Sequence, residues 1–208
     1  MPIGPIVRRL FGRHEHRIAA LYRSVFVDLD AYADRIGAWV PNAQRILEVG
    51  CGEGAVTERL AQLYPDAEIL AVDIMPAVGR LYRGPIDRVS FRMATVQEVA
   101  AESPGGFDLV ILSDVIHHVP VPLREEILAA VRTCVAPGGV FLFKDWKRTA
   151  TPIHWLCHAG DRWLTGDRVS YITKPQAEAM LMRAFGRPAE AEAWVRPWRN
   201  NFALLTRA

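Results

Sequence analysis

A short apolar strand that runs into three closely spaced glycines constrains this chain more than any other feature. Ile46-Leu47-Glu48-Val49 leads directly into Gly50-Cys51-Gly52-Glu53-Gly54-Ala55, and a helical pattern opens at Ala55. Glycine lacks a Cβ, so such a turn can bend sharply and let the backbone approach a ligand closely. The segment fits G-x-G-x-x-A, with Ala55 in the third small position. An acid, Asp73, closes the next strand 23 residues after Gly50, close to the spacing expected of a ribose-binding carboxylate. On this pattern alone the turn is a candidate nucleotide site whose ligand is open.

The rest of the chain repeats strand and helix patterns around that turn. The apolar runs predict strands over 45–49, 68–72, 89–93, 107–112 and 140–144. Helices are predicted over 14–37, 55–64, 77–82, 95–101, 122–135 and 174–185, with a turn at Pro137-Gly138-Gly139. Nearly all-apolar strands alternating with helices imply a parallel sheet covered on both faces, a doubly wound α/β fold. Its crossovers are right-handed. Its ligand crevice lies beyond the carboxyl ends of the strands, where strand order reverses. Beyond Lys144 the pattern changes. Residues 145–173 are rich in Trp, His and Arg and show no strand, whereas 189–195 and 201–206 predict a terminal antiparallel hairpin around 196–200.

Composition narrows the class. At 208 residues one domain is expected. It divides into a leader and first helix (1–41), a ligand-binding core (42–145), a Trp- and His-rich insertion (146–173) and a final helix and hairpin (174–208). The formal net charge is only +2, which gives no global argument for nucleic acid as a partner. Three separated cysteines, Cys51, Cys134 and Cys157, suit free thiols in a reducing cytoplasm. No apolar run approaches the roughly 18 residues of a spanning helix. Arg8, Arg9, Arg13 and Arg17 make the first residues locally basic among Ile3, Ile6, Val7, Leu10 and Phe11. That leader is either loosely ordered or a small amphipathic helix making weak contact with a membrane surface.

Two details bear on the ligand. Glu48 is a carboxylate inside the strand, just before the first glycine, and Glu53 lies within the turn. Both would repel a pyrophosphate and attract a ligand carrying an ammonium and a sulfonium. At the fourth strand, Phe107-Asp108-Leu109-Val110-Ile111-Leu112-Ser113-Asp114-Val115-Ile116-His117-His118-Val119 places polar groups in the same crevice. Glu48 to Gly54 resembles motif I of the class I S-adenosylmethionine-dependent methyltransferases. Ala71-Val72-Asp73-Ile74 resembles that family's second-strand end, Asp108 to Val119 its fourth-strand motif, and Val135 to Val140 its turn before strand five. The likeness covers about residues 42–145 and is nearest to small-molecule enzymes, including those of ubiquinone and menaquinone biosynthesis. It implies a Rossmann-like sheet of seven strands, ending in an antiparallel hairpin. It also implies S-adenosyl-L-methionine held by Glu48, Gly50, Cys51, Gly52, Asp73, Ile74, Ser113 and Asp114. Thr95 stands where the family often has an Asp. Its hydroxyl and the Val96 amide are the expected adenine contacts.

Methyl transfer from a sulfonium is an in-line displacement with a neutral leaving group. The protein must align the reactants, exclude water and, for some acceptors, remove a proton. His118 and His117 are the candidate bases, against a structural role in the loop. His154, His158, Asp145 and Tyr22 are candidate contacts to a small-molecule acceptor methylated at O, N or C. For His154 and His158 the alternative is a solvated helix face, and for Asp145 a turn cap. A helix over 152–164 would put His154, His158 and Asp161 on one face, with Cys157 pointing elsewhere. This spacing is metal-like, but no metal is expected, because oxygen-rich ligands from strand ends are not clearly present. Trp146, Trp155 and Trp163 are candidate walls of the acceptor pocket or core residues. A nicotinamide-dependent oxidoreductase, or an adapter or nucleic-acid binder that retains the fold, are the rival readings.

Overall fold

The computed structural model describes residues 24–160 and 169–208. Its centre is a seven-stranded sheet in the order β3-β2-β1-β4-β5-β7-β6. The strands are β1 (Arg45–Val49), β2 (Glu68–Asp73), β3 (Val89–Met93), β4 (Phe107–Ser113), β5 (Val135–Trp146), β6 (Ala191–Trp194) and β7 (Asn201–Arg207). The first five pair in parallel, and β7 runs antiparallel to both β5 and β6. Strand order reverses between β1 and β4, so the crevice opens where their carboxyl ends separate.

Alternation along the strands divides the core into two layers. Leu47, Val49, Val110, Leu112, Phe141 and Phe143 face one layer, which is closed by α3 (Val96–Glu102), α4 (Arg124–Cys134) and α6 (Lys174–Phe185). Ile46, Leu109, Ile111 and Leu142 face the other, closed by α1 (Leu29–Trp39) and α2 (Ala55–Leu63). Each fully buried Leu or Ile contributes roughly 1.5–3 kcal/mol, and both faces of the central strands carry several. This is the doubly wound architecture, with helices on both faces, that the strand pattern and the resemblance implied.

Local physics accounts for the departures. The helix expected over 14–37 is interrupted at 27–28. There Asp28 accepts a hydrogen bond from the Ala31 amide and caps α1 afresh. The Asp28 amide itself bonds the carbonyl of Arg196. Residues 14–23, with the basic leader and Tyr22, lie outside the described residues. No helix forms over 77–82. Gly79 has φ +66 there, and a Cβ on it would sit 2.2 Å from the Phe91 ring, so the chain turns instead. The expected turn at 137–139 is a bulge within β5, between the pairs Phe107↔Val135 and Leu109↔Val140. β5 also continues past Lys144 through Asp145 and Trp146. In 145–173, expected to lack strand character, the first two residues belong to β5 and Lys147 forms a parallel bridge with Ile172. The segment also holds α5 (Pro152–Gly160). No helix among the described residues is long and apolar enough to cross a membrane.

Candidate cofactor and acceptor site

The glycine turn hangs from β2. The amides of Gly50 and Cys51 both bond the carbonyl of Val72, at 2.8 and 3.1 Å. Gly50 has φ +75, and a Cβ there would meet Val115 at 2.2 Å, so the turn packs directly on the loop after β4. Gly52 has φ +52, with nothing within 4 Å of its Cβ position. Its open side faces the space a ligand backbone contact would need. Asp73 ties the turn together: Oδ2 accepts from the Gly52 amide at 2.8 Å and Oδ1 from the Met75 amide at 2.9 Å. Each oxygen keeps a further lone pair for a ribose hydroxyl. Beside it Ile74 and Met93 are 72% and 64% exposed, and Asp73 is in register with Met93. Together they offer apolar cover for a flat base.

Glu48 lies under the turn, on the face of β1 towards α1 and α2. It is 3% exposed and accepts a 2.6 Å hydrogen bond from the Thr57 hydroxyl. Burial pushes its carboxyl up to about 7, partly offset by Thr57, and the charge on Asp73 adds to the rise. Burial raises the Cys51 thiol as well, which leaves it an inert packing group. Thr95 is exposed and caps α3, accepting from the Glu98 amide. Its hydroxyl donates to the Glu98 carboxylate at 2.8 Å. That hydroxyl takes part in a capping box and keeps one lone pair, and the Val96 amide lies in the first turn of α3. The sequence already carried this signal in Thr95-Val96-Gln97-Glu98.

At the end of β4 the chain makes two kinds of contact. Ser113 shares a 2.6 Å hydrogen bond with the buried Tyr32 of α1, whose hydroxyl burial holds well above its ordinary pKa. Asp114 has φ +57 and pairs with Lys144 at 2.5 Å. Lys144 is 1% exposed on β5; its partner accounts for a charge buried in so apolar a strand. Neither Tyr32 nor Lys144 was among the candidate site residues read from the sequence. A lysine at the end of Val140-Phe141-Leu142-Phe143 was the available signal.

Across β5 from Lys144, Asp145 faces the opposite layer and is fully buried. Its Oδ1 accepts from the Trp146 amide at 2.6 Å and lies 2.5 Å from His117 Nδ1. Asp145 is thus an internal strand residue bonded to a histidine, not a turn cap. His118 packs against His117, ring centroids 4.2 Å apart. Tyr171 stacks on His117 from another side, at 5.0 Å and 15°. His154 and His158 of α5 lie 4.8 and 5.9 Å from the same tyrosine ring. His154 is buried, with its Nδ1 accepting from the Trp146 indole at 3.1 Å, so the solvated-face reading does not hold for it. Cys157 was expected to point elsewhere. It is buried with His154, and the Tyr171 hydroxyl donates to its sulfur at 3.6 Å. Tyr171 was missed altogether, because nothing in its sequence context marks it. Trp155 is 66% exposed. Asp161, Arg162, Trp163 and Arg168 lie outside the described residues.

Asp114, His117 and Asp145 each bring one donor atom to within 4.8 Å of the others, a strand-end cluster the sequence did not reveal. Within it Asp114 is already paired with Lys144, and Asp145 with His117 and the Trp146 amide. Hydrogen bonds and one buried ammonium thus meet Asp114 and the Oδ1 of Asp145, while the buried Oδ2 of Asp145 has no hydrogen-bond partner among the described residues.

The arrangement is a crevice with carboxylates and an open glycine turn on one side and histidines on aromatic walls on the other. A family model described as a methyltransferase domain matches residues 16–192. The chain belongs to this family. Ubiquinone biosynthesis O-methyltransferase of Xanthomonas campestris pv. campestris (strain B100) is 31% identical over 201 residues, covering 87% of this chain and 77% of the relative. The protein of the same name from Xanthomonas axonopodis pv. citri is 30% identical, covering 80% of this chain and 73% of the relative. Among solved structures, 1,6-didemethyltoxoflavin-N1-methyltransferase of Burkholderia thailandensis contains its substrate and S-adenosylhomocysteine. It matches with a TM-score of 0.67 at 16% identity, over 98% of this chain and 87% of its own. The mitomycin 7-O-methyltransferase matches with a TM-score of 0.69 at 17% identity, over 86% of this chain and 54% of its own. This chain spans about half the length of several of these structures, and at such identities they establish the fold. The protein is a class I methyltransferase that uses S-adenosylmethionine. Its sheet order and crevice are those of that fold, and the nicotinamide and non-catalytic rivals give way to the family assignment.

Proposed function

We propose that the methyl acceptor is a hydroxyl group on a small aromatic molecule and that His117, oriented by Asp145, removes its proton. The observation that carries this reading is the 2.5 Å contact between His117 Nδ1 and Asp145 Oδ1. A buried carboxylate on Nδ1 fixes that nitrogen as the proton donor and leaves Nε2 as the basic one. As the hydroxyl oxygen attacks, its proton moves to Nε2. Bound S-adenosylmethionine would supply an activated methyl group and a sulfur able to leave as a neutral thioether. The rings of Tyr171, His154 and Trp146 suit a planar acceptor, and the O-methyltransferase names of the 30–31% identical relatives agree with oxygen as the nucleophile.

The cofactor, in the same reading, takes its ribose on Asp73. Ile74, Met93 and the Val96 amide would hold its adenine, and Glu48 and Asp114, with Gly50, Cys51, Gly52 and Ser113, would receive its cationic end. The chain works as one methyltransferase domain, with 42–145 as the cofactor half and 146–173 as the acceptor half. Three buried free cysteines accord with the cytoplasm. No nucleic-acid partner is invoked.

The test is a panel of phenols, catechols, amines and thiols, with 3,4-dihydroxybenzoate as the first probe, followed by release of S-adenosylhomocysteine. A hydroxylated aromatic should turn over fastest. In the variant His117→Gln that turnover should fall roughly 100- to 10,000-fold, while cofactor affinity stays within about twofold. Preference for amines or thiols, or an undiminished rate in His117→Gln, would overturn the reading.

A further inference from the structure

We infer that residues 169–172 form a staple over the acceptor half and that Tyr171 within it is the positioning residue for His117. The inference rests on the proposed role of His117 as base. Three kinds of contact fix the staple. The Ser170 amide donates to the carbonyl of His117 at 2.7 Å, which joins it to the base's own backbone. Arg124, 5% exposed at the start of α4, donates from Nη2 to the Ser170 carbonyl at 2.6 Å and from Nε to the Val119 carbonyl at 3.0 Å. One guanidinium therefore clamps the staple to the loop after β4, as its rigid fork allows. At the far end Ile172 bridges Lys147 and accepts from the Arg148 amide at 2.9 Å, tying the staple to the end of β5.

Tyr171 sits between these anchors. Its ring lies nearly parallel to the His117 imidazole, 5.0 Å away, and its hydroxyl donates to Cys157 of α5. Asp145 constrains His117 through one atom, Nδ1, about which the imidazole can still tilt. A flat ring on one face removes that tilt, because leaving the stack loses contact area. His154 meets the Tyr171 ring at 70°, and the Trp146 indole bonds His154 in turn. The tyrosine is thus held from behind by groups outside the base pair. A misalignment of about 1 Å at a reacting group can cost a factor of 100, so a ring held on two sides has catalytic consequence without touching the reacting atoms.

The test uses the full chain, labelled with 15N-histidine and saturated with S-adenosylhomocysteine. Long-range 1H–15N spectra report the tautomer and the slowly exchanging Nδ1 proton of His117, assigned by the loss of its signals in His117→Gln. Tyr171→Phe keeps the stacked ring and should leave these signals in place. Tyr171→Leu and Tyr171→Met remove the flat face; the His117 Nδ1 proton should broaden or vanish and the tautomer become mixed, with cofactor affinity unchanged. With the best acceptor from the panel, kcat should fall roughly 10- to 100-fold in Leu and Met and substantially less in Phe, which keeps the stacked ring. Unchanged His117 signals in folded Leu or Met variants would overturn the proposal and leave the base reading intact. Altered signals together with full turnover in His117→Gln would sink the base reading and leave the ring contact standing.

Discussion

The two halves of the crevice are built from different materials. The cofactor half is mostly backbone and carboxylate: the amides of Gly52 and Met75 on Asp73, and Glu48 under the turn held by Thr57. The acceptor half is rings: His117, His118, His154, His158, Tyr171 and Trp146, joined by stacking and a few hydrogen bonds. Adjacent residues of β5 mark the division. Lys144 faces α1 and neutralises Asp114, whereas Asp145 faces the other layer and holds His117. A backbone cradle suits a ligand that is always the same, because it cannot be altered by changing side chains. A cage of side chains can be re-lined for another acceptor while the sheet stays fixed. Damage to the first half should therefore appear in cofactor affinity and stability. Damage to the second should appear in turnover, as set out above for His117 and Tyr171.

The largest effect in the cofactor half is expected at Gly50→Ala. The left-handed conformation costs a non-glycine residue about 1–2 kcal/mol. The new Cβ would also sit 2.2 Å from Val115 Cγ2, and overpacking of this kind adds roughly 1–3 kcal/mol. Urea unfolding should show a loss of roughly 2–5 kcal/mol, with weakened cofactor binding, because Val115 follows Asp114 directly. A variant as stable as the parent would mean that the turn is not packed as described.

Glu48→Gln should separate stability from function. The folded carboxyl is raised from 4.5 to about 7, chiefly by burial. Below pH 4.5 both folded and unfolded chains carry the proton, and Glu48 costs nothing. As pH rises towards 7 the unfolded chain loses its proton first, so the folded state is progressively disfavoured. Above 7 the full penalty stands, about 3 kcal/mol at 1.36 kcal/mol per unit. Glutamine cannot ionise. The variant should match the parent near pH 4.5 and exceed it by up to about 3 kcal/mol at pH 8. Its affinity for the cationic cofactor should meanwhile fall. Parallel stability curves across this range would remove Glu48 from the buried position assigned to it.

The same division explains what the sequence disclosed. The glycine turn lies in one run, 46–54, plus strand ends whose register follows from apolar residues that must be buried, so the residues that gather around it were legible before the fold was known. Thr95, read as an adenine contact, also carried the mark of a capping box in Glu98 three residues on, and the structure forms that box. The acceptor half depends on residues 117, 145 and 171, brought together by β5 running two residues beyond its apolar pattern and by a bridge at Ile172. Nothing local encodes either event. Asp145 therefore stood open between two readings, and Tyr171 was passed over in favour of the histidines around it.

Asp73→Ala carries the smallest expected effect and tests the comparison most directly. The carboxylate serves two masters: it holds the Gly52 and Met75 amides and offers its remaining lone pairs to the ribose. Losing the ribose contacts should weaken S-adenosylmethionine binding by roughly 1–3 kcal/mol, the range for charge-assisted hydrogen bonds. Calorimetric titration measures this directly. Asp73→Asn keeps an acceptor for one amide but loses the charge, so it should fall between the parent and alanine. Turnover at saturating cofactor should remain near the parental rate in both, because neither change reaches the rings around His117. An unchanged affinity would take Asp73 out of the site. A kcat that collapsed with affinity would show that the backbone cradle and the ring cage are one coupled unit, and the division drawn between the two halves would have to be given up.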